Sequence, residues 1–297
     1  MPPSKVLLRL PATSANLGPG FDCLGLALDL WSAATLQSHD GDIEQPDDSL
    51  PRMALAAADA FFEATGARRP GGLSFDWRNG FPLARGLGAS AAVRAAALLG
   101  ANALAGNPLG VEEMLPIGAE LEGHADNIAP TLLGGLQVAV WADGGRVVHA
   151  PVPVPENLRV VLLVPEQPMP TPESRRLLEA QVSREDAIHN VGRASLLVAA
   201  LASGRLELLA TACEDRLHQP ARAQLLPAMN AIIAAACEAG ALCSYLSGGG
   251  STIAAWTLHN EKAIARAMLQ AALSANCPGE TIITTPSAKG AQVLTTE

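Results

Sequence analysis

The sequence predicts an α+β fold in two domains, and its length, its composition and a proline-rich break support this prediction. The chain has 297 residues, of which 49% are hydrophobic and 16% are charged. Such a chain is too apolar for disorder, and single cores stop growing near this length, which favours two domains. Residues 151–155 read Pro-Val-Pro-Val-Pro, a stiff segment unsuited to a central strand. We therefore predict one domain over residues 1–155 and a second over residues 156–297.

Short apolar runs predict strands, and longer apolar segments at helical spacing predict helices. The predicted strands are residues 6–10, 158–164, 242–246 and 252–258. The predicted helices are residues 53–66, 89–104, 186–202 and 228–239. A turn-rich stretch over residues 11–20 and a polar, solvated loop over residues 38–52 are predicted between these elements.

The charge balance and the cysteines exclude several classes of protein. Lys plus Arg number 20 against 29 Asp plus Glu, so the net charge is −9 and broad binding of nucleic acid is disfavoured. The five cysteines are widely spaced and form no Cys-x-x-Cys pair, which is typical of reduced, mostly buried thiols. No apolar run has signal-peptide character or the roughly 20 residues of a membrane span. We expect a cytoplasmic, enzyme-sized protein without nucleic-acid or membrane partners.

The first motif is residues 11–22, Pro-Ala-Thr-Ser-Ala-Asn-Leu-Gly-Pro-Gly-Phe-Asp. Its small residues and glycines let the backbone approach a ligand closely, while Asn16 and Asp22 offer polar groups. The same Asn-x-Gly-Pro-Gly pattern is also ordinary turn chemistry. Both a ligand-binding loop and a simple turn stay open at this point.

The second motif is residues 82–92, Pro-Leu-Ala-Arg-Gly-Leu-Gly-Ala-Ser-Ala-Ala, directly before a predicted helix. A glycine-rich loop that enters a helix presents free N–H groups and a positive dipole end, which favours phosphate binding. It is not a Walker A loop, because Gly-Lys-Ser and Gly-Lys-Thr do not occur and the three lysines lie far away. The alternative is a helix entrance whose glycines serve only close packing.

Two further segments carry polar or glycine-rich patterns. Glu120, Glu122, His124 and Asp126 lie within seven residues, and carboxylates beside a phosphate loop suggest Mg²⁺. Zinc would require more His or Cys, and the histidine alone is explained as well by loop hydrogen bonding. Residues 247–251 read Ser-Gly-Gly-Gly-Ser between two predicted strands, which by itself predicts a flexible hairpin.

Taken in this order, the motifs resemble the GHMP kinase superfamily and, within it, the homoserine kinases. The second motif resembles the phosphate loop of that family, usually written Gly-Leu-Gly-Ser-Ser-Ala. The segments that carry the resemblance are residues 11–22, 82–92, 122–127, 186–193, 215–222 and 247–252. With these segments the resemblance extends over residues 6–258, so chance agreement is improbable.

The resemblance implies a two-domain kinase with an N-terminal nucleotide-binding domain and a C-terminal ferredoxin-like domain. The implied reaction transfers the γ-phosphoryl group of ATP to the side-chain hydroxyl of L-homoserine, a step of threonine biosynthesis. ATP and Mg²⁺ are the implied cofactors, and a homodimer is the implied assembly. A GHMP kinase of another small alcohol and a non-catalytic nucleotide-binding homologue remain the alternatives.

The resemblance also implies roles for individual residues, carried over by position. The residues expected in catalysis are Glu122, Asn127 and Arg175. The residues expected to bind substrate are Asn16, Asp22, His124, Asp126, Thr171, Arg175 and Arg222. The residues expected to bind the nucleotide are Pro82, Arg85, Gly86, Leu87, Gly88, Ala89, Ser90, Ala91 and Ala92, with Ser90 and Glu122 as metal ligands. Homoserine is a zwitterion, and arginines suit its carboxylate because a guanidinium binds a carboxylate through two bonds.

Three positions depart from the family pattern. Ala89 stands where the first serine of the phosphate loop is usual, which bears on metal binding. Pro51-Arg52-Met53 stands near the implied adenine pocket, where Asn-Leu-Val is common. Residues 247–252 resemble the third motif of the family, but they contain Gly-Gly-Gly-Ser where Gly-Ala-Gly-Pro is usual.

Overall fold

Two antiparallel sheets organise the chain, which a computed structural model describes over residues 3–41, 43 and 48–297. The strands are β1 (Lys5–Ala15), β2 (Leu24–His39), β3 (Gly72–Arg78), β4 (Leu136–Ala142), β5 (Arg146–Val152), β6 (Arg159–Pro165), β7 (Cys243–Leu246), β8 (Ile253–Thr257), β9 (Gly279–Thr284) and β10 (Gln292–Thr296). The helices are α1 (Ser49–Thr65), α2 (Ala89–Leu104), α3 (Leu115–Glu122), α4 (Ile128–Leu133), α5 (Thr171–Arg176), α6 (Arg184–Ser203), α7 (Leu209–Ala212), α8 (Gln219–Arg222), α9 (Met229–Glu238) and α10 (Glu261–Ser274).

The first sheet has six strands in the order β10-β1-β2-β4-β5, with β3 also paired to β2. Its strand β1 lies between β10 and β2, and its residues alternate between buried and exposed as far as Leu10. The strand then continues to Ala15, so the prediction of turns from residue 11 was wrong over residues 11–15. A register shift follows Pro11, which has no N–H to donate, and the small residues after it are buried on both faces.

The predicted polar loop over residues 38–52 is shorter than expected. Its first residues, Ser38 and His39, belong to β2, a long strand that the apolar pattern did not indicate. At the other end α1 already begins at Ser49, because the Asp48 side chain accepts a hydrogen bond from the Leu50 N–H. Residues 42 and 44–47 lie outside the described residues.

The helix α2 has the predicted bounds and lies almost entirely in the core. It packs on β1 and on α1, and the prevalence of alanine along it lets these elements approach closely. The predicted helix over residues 53–66 is confirmed as part of α1, which ends where Gly66 adopts a positive φ of 66°. These helices cover one face of the first sheet, and the N-terminus of α2 lies towards the second sheet.

The second sheet has the order β7-β8-β6-β9 and carries α9 and α10. In chain order β6, α9, β7, β8, α10 and β9 form the β-α-β-β-α-β arrangement of a ferredoxin-like domain, which confirms the predicted fold. Strand β6 is buried on both faces, as its continuous apolar run predicted. Val160 and Leu162 join the core of the first sheet, whereas Val161 and Leu163 pack with the helices.

The proline-rich segment lies where the chain passes from one sheet to the other. Pro151 is still part of β5, an edge strand, and β6 begins at Arg159 in the second sheet. The last strand, β10, returns to pair with β1, so the C-terminal end of the chain completes the first sheet. The division of domains at residue 155 stays a prediction. Among the described residues, the structure has no helix long and apolar enough to cross a membrane.

Candidate active site

A cavity of about 1000 Å³ opens where the two sheets and their helices meet. Of the predicted site residues, the structure brings to its wall Asn16, Asp22, Arg85, Gly86, Leu87, Gly88, Ala89, Ser90, Glu122, His124, Asp126, Asn127, Thr171, Arg175 and Arg222. Pro82 instead lines a smaller neighbouring pocket of about 310 Å³. Ala91 and Ala92 are fully buried in the first turn of α2, so their side chains face the core rather than the cavity.

The predicted phosphate loop leads directly into the N-terminus of α2 at the cavity wall. Gly86 and Gly88 have positive φ angles of 74° and 70°, and a Cβ on Gly88 would lie 1.8 Å from the Thr13 hydroxyl. The N–H of Ala92 donates to the Gly88 carbonyl at 3.0 Å. The N–H groups of residues 89–91 come before this first turn closes and have no acceptor inside the helix, an arrangement that favours the binding of an anion.

The triple-glycine hairpin between β7 and β8 packs against the phosphate loop, backbone to backbone. A Cβ on Gly86 would lie only 2.1 Å from the Ser247 carbonyl oxygen, and the Thr252 N–H donates to the Arg85 carbonyl. The same hairpin touches the first motif, where the Gly248 N–H donates to the carbonyl of Ala15. The glycine-rich segments that lie far apart in the sequence therefore form one continuous wall.

Asn16 holds the first motif in place. Its Nδ2 donates to the Gly248 carbonyl at 3.0 Å, and its Oδ1 accepts from the Asp22 N–H at 3.0 Å. Asn16 is buried and has a positive φ of 69°, which asparagine tolerates better than most residues. With both ends of its amide engaged, Asn16 fixes the position of Asp22.

Asp22 and Arg175 form a bidentate ion pair across the cavity, with nitrogen–oxygen distances of 2.6 and 3.1 Å. Burial lowers the pKa of Arg175, but the hydrogen bond and charge of Asp22 outweigh burial, so the pKa is raised overall. Arg175 and Arg222 both lie over the ring of Phe21, at 5.5 and 5.4 Å from its centroid. Acidic and basic groups thus meet at one end of the cavity.

His124 and Asp126 extend the acidic side of this end. The His124 Nδ1 lies 2.5 Å from the Asp126 Oδ1, and both side chains are buried. Burial lowers the pKa of His124, but the hydrogen bond and charge of Asp126 outweigh it and raise the pKa above its ordinary value. Asn127 bridges Asp126 and Thr13, because its Nδ2 donates to the carboxylate and its Oδ1 accepts from the hydroxyl.

Glu122 lies between the phosphate loop and this acidic group. Its Oε2 accepts a hydrogen bond from the Ser90 hydroxyl at 3.0 Å and is 4.0 Å from the His124 Nε2. Its Oε1 accepts a hydrogen bond from Arg94, a residue that the sequence motifs did not single out. Arg94 follows Ser90 by four residues on α2, so helical spacing from the phosphate loop was the signal that could have identified it.

Arg222 is buried with an accessibility of 1% and rests on His218. Its Nη1 donates to the His218 Nδ1 at 2.9 Å and to the Gly248 carbonyl at 3.1 Å. Because an arginine only donates, the His218 proton is on Nε2, which donates to the Gly18 carbonyl at 2.8 Å. Burial lowers the pKa of His218 to about 4, and burial with the charge of Arg175 lowers that of Arg222 to about 10. At neutral pH His218 is therefore neutral and Arg222 is charged.

The segments around residues 190 and 215 hold Arg222 and His218 in place without lining the cavity. The buried carboxylate of Asp215 accepts hydrogen bonds from the N–H groups of Leu217, His218 and Gln219, which begin α8. The Asn190 Nδ2 donates to Asp215 at 2.7 Å and to the Pro19 carbonyl at 3.2 Å. These bonds tie α6 and α8 to the first motif.

The end of the cavity between α1 and β3 combines apolar and aromatic side chains with the polar residues Asp48, Ser49, Asp76 and Asn79. Its wall includes Leu50, Pro51 and Met53 of α1, and Phe75 and Trp77 of β3. Pro51 and Met53 of the unusual segment Pro51-Arg52-Met53 thus line the same cavity as the predicted phosphate loop.

The fold and the cavity define a kinase of the GHMP class. The family model of the GHMP kinases N terminal domain matches residues 52–135, and that of the GHMP kinases C terminal matches residues 197–275. The Lactococcus lactis galactokinase structure, at 14% identity, 98% and 95% coverage of the two chains and a TM-score of 0.73, shows the same fold.

Comparison with more similar proteins identifies the family within the GHMP kinases. The homoserine kinase of Moorella thermoacetica is 41% identical over 89% of this chain and 92% of its own length. A homoserine kinase of Thermus thermophilus is 43% identical over 86% of this chain and 88% of its own length. The crystal structure of homoserine kinase from Cytophaga hutchinsonii has a TM-score of 0.87 at 28% identity and covers 98% of both chains. The chain belongs to the homoserine kinase family of the GHMP kinases.

Replacing Gly86 with alanine should separate the phosphate loop from the hairpin. The added Cβ meets a backbone carbonyl that cannot move alone, and the positive φ itself costs about 1–2 kcal/mol. We expect Gly86→Ala to lower the free energy of unfolding, measured in urea, by clearly more than Gly66→Ala. Gly66 has nearly the same φ, but no atom lies within 4 Å of the place that its Cβ would occupy. Equal losses for the two variants would contradict the close packing.

Burial of neutral His218 should make stability depend on pH. In the unfolded chain the histidine binds a proton below about pH 6.5, whereas in the folded chain its pKa is about 4. The free energy of unfolding should thus be highest above pH 6.5 and fall, by on the order of 3 kcal/mol, as the pH decreases towards 4. In His218→Gln, the free energy of unfolding measured in urea should lack this decrease over the same pH range. An unchanged dependence would show that His218 is not buried in its neutral form.

Proposed function

We propose that the chain phosphorylates the side-chain hydroxyl of L-homoserine with ATP and yields O-phospho-L-homoserine, a step of threonine biosynthesis. The observation that carries this proposal is the cavity itself, in which an anion-binding helix N-terminus faces a group of buried acids and arginines. Membership of the homoserine kinase family supports the substrate. A free amino acid requires opposite charges at neighbouring positions, and the Asp22–Arg175 end of the cavity offers them.

At the substrate end, we place the carboxylate of homoserine against the arginines and its ammonium group against Asp22 and Asp126. Arg222 supports this placement, because its buried Nε has no protein partner within the described residues. A buried donor without an acceptor is costly, and a bound carboxylate would satisfy it. Asn16 positions Asp22 in this scheme, and Thr171 borders the same end from the start of α5.

At the nucleotide end, the phosphates would bind the free N–H groups at the start of α2. This contact needs no side chain, so Ala89 leaves it intact. The base would then reach the end between α1 and β3, where Met53 and Trp77 line the cavity. Contact with an apolar and aromatic wall stabilises a flat base through its faces.

Ser90 and Glu122 fit a magnesium ion. Their side-chain oxygens lie within 3.0 Å of each other at the start of α2, and oxygen ligands that include a carboxylate are what Mg²⁺ prefers. Glu122 and Ser90 would hold the ion, which would neutralise developing charge on the transferred phosphoryl group. Because position 89 is alanine, these two residues are the protein ligands that the phosphate loop region provides.

The reaction requires little covalent chemistry from the protein. The substrate hydroxyl oxygen attacks the γ-phosphorus, the bond from that phosphorus to the bridging oxygen breaks with its electron pair leaving on ADP, and the hydroxyl proton is released to water. In a loose phosphoryl transition state, most of the rate enhancement comes from positioning and from stabilising charge. The Thr13–Asn127–Asp126 hydrogen-bond chain keeps the acidic side rigid for this purpose.

The homodimer and the cytoplasmic location belong to this proposal as well. Light scattering of the purified chain would report its mass in solution, and a mass of one chain would contradict the homodimer.

Purified chain with ATP and Mg²⁺ should convert L-homoserine to O-phosphohomoserine, detected by phosphorus NMR. Glu122→Ala should lower kcat by about 100-fold or more, because the metal loses its carboxylate. Mevalonate and galactose, offered in parallel, should not be phosphorylated. A folded chain that phosphorylates one of these alcohols instead of homoserine would overturn the proposed substrate, and one that binds ATP without turnover would point to a non-catalytic homologue.

Arg175→Ala should raise the KM for homoserine by about 10-fold or more and leave the KM for ATP nearly unchanged, because a charged hydrogen-bond partner of the substrate is lost. Steady-state kinetics with each substrate varied in turn measures both constants. Arg193→Ala is the matched control, since Arg193 pairs with Glu214 and does not line the cavity. An equal rise in both constants would contradict the assigned role.

A further inference from the structure

Arg94 is a cation next to the predicted phosphate and metal positions that the proposed chemistry does not yet use. It lies one turn beyond Ser90 on α2, lines the cavity, and donates from Nη1 to the Glu122 Oε1. The Glu122 side chain is only 5% exposed, whereas that of Arg94 is 20% exposed. Both side chains line the cavity, and Arg94 is the more exposed of the two.

Most of the hydrogen-bonding capacity of Arg94 is unused. A guanidinium has five N–H donors, and within the described residues Nη1 alone makes a hydrogen bond to protein. Nε and Nη2 are not among the fully buried atoms that lack partners, so they are accessible on a side chain that lines the cavity. Arg94 can keep its bond to Glu122 and still donate to a second anion without moving.

The other arginines that line the cavity are committed elsewhere. Arg85 donates from all three of its nitrogens to backbone carbonyls of its own loop and of residues 165 and 166. Arg175 is paired with Asp22, and Arg222 with His218 at the substrate end. Among the described residues, Arg94 is thus the arginine with free donors beside the start of α2.

We propose that Arg94 binds the phosphate chain of the nucleotide directly and gives this chain a permanent cation in its phosphate subsite. This inference rests on the proposed function only in requiring that the cavity binds a nucleotide. Glu122 then lies between two cations, with Arg94 on Oε1 and the metal position on the Oε2 side with Ser90. In this arrangement, phosphate binding would persist when the metal is removed.

Calorimetric titration with ATP in EDTA tests this, because it reports binding without metal and without turnover. Arg94→Met removes the charge at nearly constant length and should raise the Kd of metal-free ATP by about 10-fold or more, the loss of a charge-assisted hydrogen bond. The Kd of adenosine should change by less than about 2-fold, since a base and ribose have no phosphate to lose. Arg69→Met, at an exposed ion pair with Asp59, is the matched control and should bind ATP normally.

A simple neutralising role for Arg94 would also weaken ATP binding in Arg94→Met, because Glu122 would be left with an unpaired charge. The comparison is therefore repeated in Glu122→Gln, where this charge is absent. If Arg94 contacts phosphate, Arg94→Met should still cost about 10-fold in that background. The double variant also avoids a buried unpaired carboxylate, so it tests the proposal even if the single variant does not fold.

Each outcome then decides the role of Arg94. An equal loss of ATP affinity in both backgrounds supports direct phosphate binding. A loss confined to the background with Glu122, or an equal loss for adenosine, overturns it. Wild-type chain that binds ATP in EDTA but does not phosphorylate homoserine would refute the proposed substrate and leave this inference standing, which keeps the two failures distinct.

Discussion

The contact between the phosphate loop and the triple-glycine hairpin is the constraint on which the rest of the site depends. Gly86 packs on the Ser247 carbonyl at a distance that no side chain would permit. Through this contact the helix α2, which belongs to the first sheet, is fixed relative to a hairpin of the second sheet. The carbonyl oxygen of Gly248 then accepts hydrogen bonds from the side chains of Asn16 and Arg222. Backbone groups, which are stiffer than side chains, thus fix the distance between the predicted phosphate loop and the Asp22–Arg175 end of the cavity.

Buried polar groups away from the cavity maintain the orientation of those inside it. Asp215 does not line the cavity, but its carboxylate accepts hydrogen bonds from N–H groups at the start of α8. It thereby holds His218 in place beneath Arg222. Neutral His218 adds no positive charge next to buried Arg222, because only its accepting nitrogen faces the guanidinium. The cost of burying these groups is offset because nearly all their hydrogen bonds are satisfied. Such rigidity suits a reaction that depends on placing two substrates in line.

The sequence predicted elements well where burial was uniform and poorly where small residues are covered on both sides. Helix α2 and strand β6 were clear because their apolar runs have helix and strand lengths, respectively. The end of β1 was mistaken for turns, because Pro11 and the small residues after it have little strand character without their tertiary cover. Asn16 was predicted to bind substrate and lines the cavity, but its two hydrogen bonds to protein could not be predicted, because contacts between distant segments have no local signature.

Arg94 was harder to identify from the sequence, since a single charge in an alanine-rich helix has the pattern of a surface residue and only its spacing of four residues from Ser90 links it to the phosphate loop. Its partner Glu122 lies at the end of another helix, α3, so only the packing of α3 on α2 brings the two together. This packing gives Glu122 two different faces. One oxygen accepts a hydrogen bond from Arg94 and the other accepts one from Ser90. In the proposed scheme, a phosphate loop with alanine in place of its first serine would keep its positive charge near the nucleotide, because part of that charge would come from Arg94 rather than from the ion.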